Sequence, residues 1–250
     1  MMIHTEWIIS FYLIVIRLGT VLMFTPIAAI KNLPVHARLF MVFMFALFIS
    51  LQIPAPAYDP LSVSLVLKGL CELTNGLILS LGIYATFSIF QLTGQLIDNQ
   101  MGLNAASIFN PQQQSHEALT ARLLSMLAVL IFFSTDGHHR LLEGLIYSFK
   151  SIGPGEMLFF GGFKPVIQQF SLMFSLSFTI GSPIIITLLI VELIGAVLTR
   201  NMPQMNIYFL TLPIRIFLGL FLLITTLSLF GPILASLFNQ LFQHWQDIMQ

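Results

Sequence analysis

Uninterrupted apolar blocks constrain this chain more than any other feature of its sequence. Six regions stand out, over residues 7–30, 39–53, 61–90, 123–152, 166–199 and 210–241. About 18–20 apolar residues in a helix cross the hydrocarbon core of a bilayer, and several of these regions reach that length. Inside lipid, only helices and closed barrels satisfy their own backbone hydrogen bonds. The apolar residues come in blocks instead of alternating singly, so helices are expected. Charge agrees: Lys, Arg, Asp and Glu make up 8% of the chain, against about 25% in a soluble domain. So few charges cannot solvate the surface of a globule. The expectation is an all-α, polytopic membrane protein of packed, partly broken helical hairpins, with residues 1–250 forming a single membrane domain.

Breaks between the blocks follow proline, glycine and charge. Pro54, Pro56 and Pro60 stop any helix in that connector, and Lys31-Asn32-Leu33-Pro34 makes another boundary. The longest polar interval covers residues 91–122 and is rich in Gln and Asn. Asp136-Gly137-His138-His139-Arg140 cuts the fourth region into two pieces too short to span alone. Gly153-Pro154-Gly155 and Gly161-Gly162 bracket a loop, and Gly181-Ser182-Pro183 could kink or split the fifth region. Residues 1–6 carry no Lys or Arg, so the first block reads as an uncleaved helix and not as a secretory signal. Lys31, Arg38, Arg122 and Lys164 fall on one side, with Arg140 opposite, if each region up to residue 152 crosses once and the fourth counts as a pair. The positive-inside rule then puts the N-terminus outside.

Arg17, Lys68, Glu72, Glu143 and Glu192 lie within apolar runs. A charge at bilayer depth costs at least about 2.5–3.5 kcal/mol, so such residues face protein or water. Arg17, Lys68, Glu72 and Glu192 are expected to be buried charges that serve packing. Lys68 and Glu72, four residues apart, share a helix face and can pair. An internal structural pair, a translocation path and a subunit contact all fit that reading. Ser171, Ser175 and Thr179, Gly76 with Ser80, and Gly195 with Thr199 repeat small residues at the spacing that lets helices approach closely.

Catalytic patterns fail. His116-Glu117 begins a zinc-protease motif, but Thr120 stands where the second histidine belongs. Asp136, His138 and His139 could hold a metal, yet their place between two apolar pieces favours a helix–helix turn. No nucleotide-binding or nucleophile-elbow motif occurs. Zero formal net charge offers nucleic acid no basic surface, and the single Cys71 has no partner for an internal disulfide. No enzyme activity, metal or cofactor is expected. A small-solute secondary transporter would share the broken helices and buried charges, but would usually show an internal repeat, and none is visible.

Within the polar interval, Gly94-Gln95-Leu96-Ile97-Asp98 followed by Gln100-Met101-Gly102 resembles the signature of the FliR family of the flagellar type III export gate. Its injectisome counterparts include SpaR and SctT. Arg17 and Pro26, Pro34, Glu72 with Gly76 and Gly82, and Asp136-Gly137-His138 match further family positions in order. Ser148-Phe149 with Pro154-x-Glu156, and Met202-Pro203-Gln204-Met205-Asn206, are similar to two more. Asn110-Pro111 replaces an expected Asp-Pro, Arg215 an expected lysine, and Glu156 falls near a family glycine.

This resemblance implies a non-catalytic gate subunit that assembles with FliP-like and FliQ-like chains. FlhB-like and FlhA-like export components would be further partners. It implies a place in the bacterial inner membrane at the flagellar basal body, or at an injectisome, and a channel that passes unfolded substrates. The helices would pack into a cone standing largely above the membrane plane. The segment 101–117 would then lie near the pore axis as a plug. Its candidate residues are Met101, Gly102, Ile108, Phe109, Asn110, Pro111, Gln112, Gln113 and Gln114.

Overall fold

A computed structural model describes residues 5–53, 65–103, 119–157, 164–202, 204 and 206–248. All regular structure among them is helical: α1 Thr5–Met23, α2 Ala28–Lys31, α3 Val35–Ser50, α4 Leu65–Met101, α5 Leu119–Ser134, α6 Gly137–Ser151, α7 Lys164–Asn201 and α8 Ile207–Ile248. Windows within α1, α4, α7 and α8 are long and apolar enough to cross a membrane, with mean hydropathy of 1.7, 1.5, 2.3 and 2.1. The chain is therefore an all-α polytopic membrane protein.

Local chemistry sets the helix ends, and at two places it departs from the sequence reading. The first apolar region is not one helix to residue 30. It stops at Met23, because Pro26 forces Thr25 out of the helical region and α2 restarts beyond it. In the second case α4 runs through residues 91–101 of the polar interval, since Gln and Asn do not break a helix as proline does. It ends in a Schellman motif. Gly102 takes the left-handed conformation (φ +77°), its N–H donates to Asn99 O at 3.2 Å, and Leu103 N–H donates to Asp98 O at 3.1 Å. Asp136 adopts φ 55°, and α5 and α6 meet there at 73°. Pro183 lies inside an unbroken α7, and Pro213 and Pro232 lie inside α8.

Two compact units result, Met1–Thr86 with Phe132–Phe170 and Leu237–Gln250, and Phe87–Ile131 with Ser171–Ser236. Helix α4 contributes to both. In the first unit Leu13, Ile14, Leu18, Leu79, Ile83 and Phe149 are buried, and Phe132 meets Phe238 edge to face at 5.2 Å. Gly76 lets α4 close on α1, where a Cβ would stand 2.7 Å from Thr20 Cβ and 2.8 Å from Arg17 O. The second unit buries Phe90, Ile97, Met101, Leu124, Ile184 and Leu188. There Thr93 Oγ1 donates to Ser177 O at 3.1 Å, and Gly94 lies directly against the backbone of Thr120 and Ala121.

Gly94→Ala should therefore force α4 and α5 apart and cost about 1–3 kcal/mol. Gly19→Ala should be neutral or mildly stabilising, because its Cβ would meet only Val42 Cγ1 at 3.8 Å. Melting of each variant in detergent checks the contrast, and equal melting temperatures would contradict it.

Candidate functional site

The first unit is organised around one buried ion pair. Arg17, in the middle of α1, and Glu72, near the start of α4, both have fully buried side chains. The guanidinium grips both oxygens of the carboxylate through one edge, the one formed by Nε and Nη2. Nε donates to Oε2 at 2.5 Å and Nη2 to Oε1 at 2.9 Å. Its remaining reach goes to the end of α6: Nη1 donates to Ser148 O at 2.9 Å and Ser148 Oγ at 3.3 Å, and both terminal nitrogens donate to Ile152 O at 3.3 Å. The cation sits 4.2 Å above the centre of the Phe149 ring. Glu72 Oε1 also accepts from Gly155 N–H at 2.6 Å. Asn75, one turn along the α4 face, donates to Glu156 O at 2.8 Å.

Glu72 thus takes Arg17 as its partner, where helical spacing pointed to Lys68. Lys68 is half-buried, and its stem lines Gly155, which has φ +91°. The sequence reading missed the roles of Ser148, Ile152 and Gly155. Their signal was present in the Ser148-Phe149 and Pro154-x-Glu156 matches, but spacing along one helix cannot register a contact between residues 55 or 83 apart. Glu192, expected among the buried charges, is 49% exposed, 3.6 Å from Arg215 Nη1. Its surroundings on α7 explain the difference. Leu189, Ile190, Leu193, Ile194 and Val197 are exposed as well, so among the described residues Arg215 alone is seen to approach the acid and the apolar side chains around it stay uncovered. Glu143 is exposed on α6.

The small-residue stripe also points outward. Ser171, Ser175, Thr179 and Pro183 are exposed, whereas Met173, Ser177, Ile180, Ile184 and Leu188 form the buried side of α7. Helix α8 exposes Phe209, Phe217, Phe221 and Ile224.

Of the candidate plug residues, Met101 is fully buried and fills the space left by Gly219, and Gly102 forms the cap of α4. Ile108, Phe109, Asn110, Pro111, Gln112, Gln113 and Gln114 lie outside the described residues. The Asp136 turn starts α6 with its main chain, its carbonyl accepting from His139 and Arg140 N–H at 3.0 and 3.2 Å. Its carboxylate is exposed, 3.6 Å from His139 Nδ1, and the two histidine rings lie 4.2 Å apart.

If Arg17 and Glu72 hold this unit together, Arg17→Met or Glu72→Met alone strands a buried charge and should cost about 3–5 kcal/mol. Lys68→Met should cost far less. The double Arg17→Met/Glu72→Met variant should recover part of the loss. Protein yield and melting of the four variants provide the check, and equal losses for Lys68→Met and Glu72→Met would return the pairing to Lys68.

The model of the family described as bacterial export proteins, family 1, matches residues 8–241. Flagellar biosynthetic protein FliR of Bacillus subtilis is 26% identical over 244 residues, covering 96% of this chain and 94% of the relative. The protein of the same name from Escherichia coli is 25% identical over 245 residues, covering 98% and 94%. Surface presentation of antigens protein SpaR of Shigella flexneri is 28% identical over 152 residues, covering 61% and 59%. A helical membrane chain that the family model matches over residues 8–241 belongs to bacterial export proteins, family 1, the FliR family, and is a component of flagellar or type III export.

Proposed function

We propose that this chain is a non-catalytic subunit of the flagellar type III protein export gate. With FliP-like and FliQ-like chains it forms the channel through which unfolded flagellar proteins leave the cell. It sits in the inner membrane at the basal body and meets FlhB-like and FlhA-like components on the export path. The observation that carries this reading is the outer surface of α7 and α8. Their candidate spans are only 28% and 17% buried within the chain, whereas that of α4 is 61% buried. A small-residue stripe on such a face suits close contact with other helices better than contact with lipid alone. An injectisome gate is the second reading, supported by the likeness to SpaR.

Expression with FliP-like and FliQ-like chains should yield one large complex containing all three, and expression alone should give aggregation or degradation. A stable, monodisperse monomer in mild detergent would overturn the gate assignment.

Segment 101–117 is the plug in this reading. Its Gln112-Gln113-Gln114 run is polar and uncharged, and the only Lys, Arg, Asp or Glu between residues 101 and 117 is Glu117. It can therefore sit in a wet pore without imposing a fixed charge on passing substrate. Deleting residues 107–115 should leave assembly intact while cells become permeable to a small dye and export persists. Unchanged dye entry at matched amounts of complex would sink the plug assignment and leave the family untouched.

A further inference from the structure

We propose that Asp98 is the positioning residue of the pore segment, holding together the two helix ends from which that segment departs; this rests on the plug reading of residues 101–117. Asp98 lies in the last turn of α4, with its side chain fully buried. Its Oδ2 accepts from Thr120 N–H at 2.9 Å and from Ala121 N–H at 3.4 Å. These are the second and third residues of α5. The first N–H groups of any helix lack an internal acceptor, and the residue just before the helix usually supplies one. Here a carboxylate 22 residues upstream does so, and its negative charge lies at the positive end of the α5 dipole.

The same residue closes α4. Its carbonyl accepts Leu103 N–H at 3.1 Å in the cap described above. Asp98 therefore fixes the outgoing stem with its main chain and the returning stem with its side chain. Packing reinforces both. Gly94, one turn earlier, brings the α5 backbone against α4, and Met101 is held at Gly219.

Stability alone accounts poorly for this choice of residue. Among the described residues, the buried Asp98 Oδ1 and Thr120 Oγ1 have no hydrogen-bond partner. Unmet buried polar atoms are uncommon and costly, and a local Ser or Asn cap would avoid them. A long-range acid does what a local cap cannot: it ties the register of α5 to the end of α4. The ends of the pore segment then stay at one separation whatever the segment between them does.

The test uses the complex co-expressed with its gate partners, with amounts matched by immunoblot. Asp98→Ala should speed amide exchange at Thr120 and Ala121 by roughly fivefold to tenfold, the range expected for a lost cap. It should also raise dye entry toward the level of the 107–115 deletion. Asp98→Asn keeps one acceptor oxygen and should stay within about twofold of the wild type on both measures, by the same capping chemistry. Thr120→Ala removes the hydroxyl but not the N–H and should also match the wild type. If Asp98→Ala does not accumulate, Asp98→Ser, whose hydroxyl falls one bond short, is read in its place. A tight Asp98→Ala gate beside a leaky deletion overturns the role of Asp98 and leaves the plug standing. A tight deletion variant overturns the plug, and with it this role. Dye entry that rises equally in Asp98→Asn and Asp98→Ala also overturns it, because the retained acceptor would then count for nothing.

Discussion

The pairing of Arg17 with Glu72 decides how the first unit can be put together. A guanidinium in an apolar helix has five N–H donors to satisfy, and water is not available to satisfy them. The two helices alone offer too little: Glu72 takes one edge of the fork, and the other edge is left for the main chain at the end of α6. That demand draws Ser148, Ile152 and Gly155 inward, so the pair fixes a loop as well as two helices. Lysine could not replace Arg17. A single ammonium lacks the planar fork that serves carboxylate and carbonyls together, and it would not spread over the Phe149 ring in the same way.

The second constraint is what the chain leaves uncovered. Each fully buried large apolar side chain contributes about 1.5–3 kcal/mol relative to exposure to water. The exposed faces of α7 and α8 carry Phe174, Phe178, Ile190, Leu193, Phe217, Phe221 and Ile224, together with a row of small hydroxyl residues. Patches of that size are sustained by lipid or by other protein, never by water. The exposed Glu192 within this face is costly beside lipid, whereas a protein neighbour can supply it with donors.

Fold class, most boundaries and the family were legible in the sequence, because each rests on local chemistry. Proline marks the break near residue 34, and the Asp136 turn was readable from its polar residues between two apolar pieces, whereas the break before Pro26 was hidden by the apolar run that continues past it. The extension of α4 to Met101 was not legible, because hydropathy ends the apolar block at residue 90 although nothing before Gly102 ends the helix. Partners were harder still. A helix-spacing rule finds neighbours four residues apart, so it offered Lys68 to Glu72 and could not see Arg17 across 55 residues. Burial failed at Glu192 for a related reason. Apolar neighbours in sequence imply that a face avoids water, but not that this chain covers it.

Helix α4 uses one device twice, and that accounts for much of its burial. Glu72 and Gly76 are one turn apart, as are Gly94 and Asp98, and both acids are fully buried. In each pair the glycine admits a neighbouring backbone to a distance no side chain would allow, α1 at Gly76 and α5 at Gly94. The acid then satisfies polar groups that this approach has cut off from solvent. For Glu72 these are the Arg17 guanidinium and Gly155 N–H, and for Asp98 the first free N–H groups of α5. Neither residue type suffices alone. Close approach without the acid would strand donors in an apolar interior, and the acid without the glycine would lie too far from them to accept their hydrogen bonds. A membrane helix with few charges can place them only where they complete such contacts, so the acids of α4 mark the points at which other segments are locked against it.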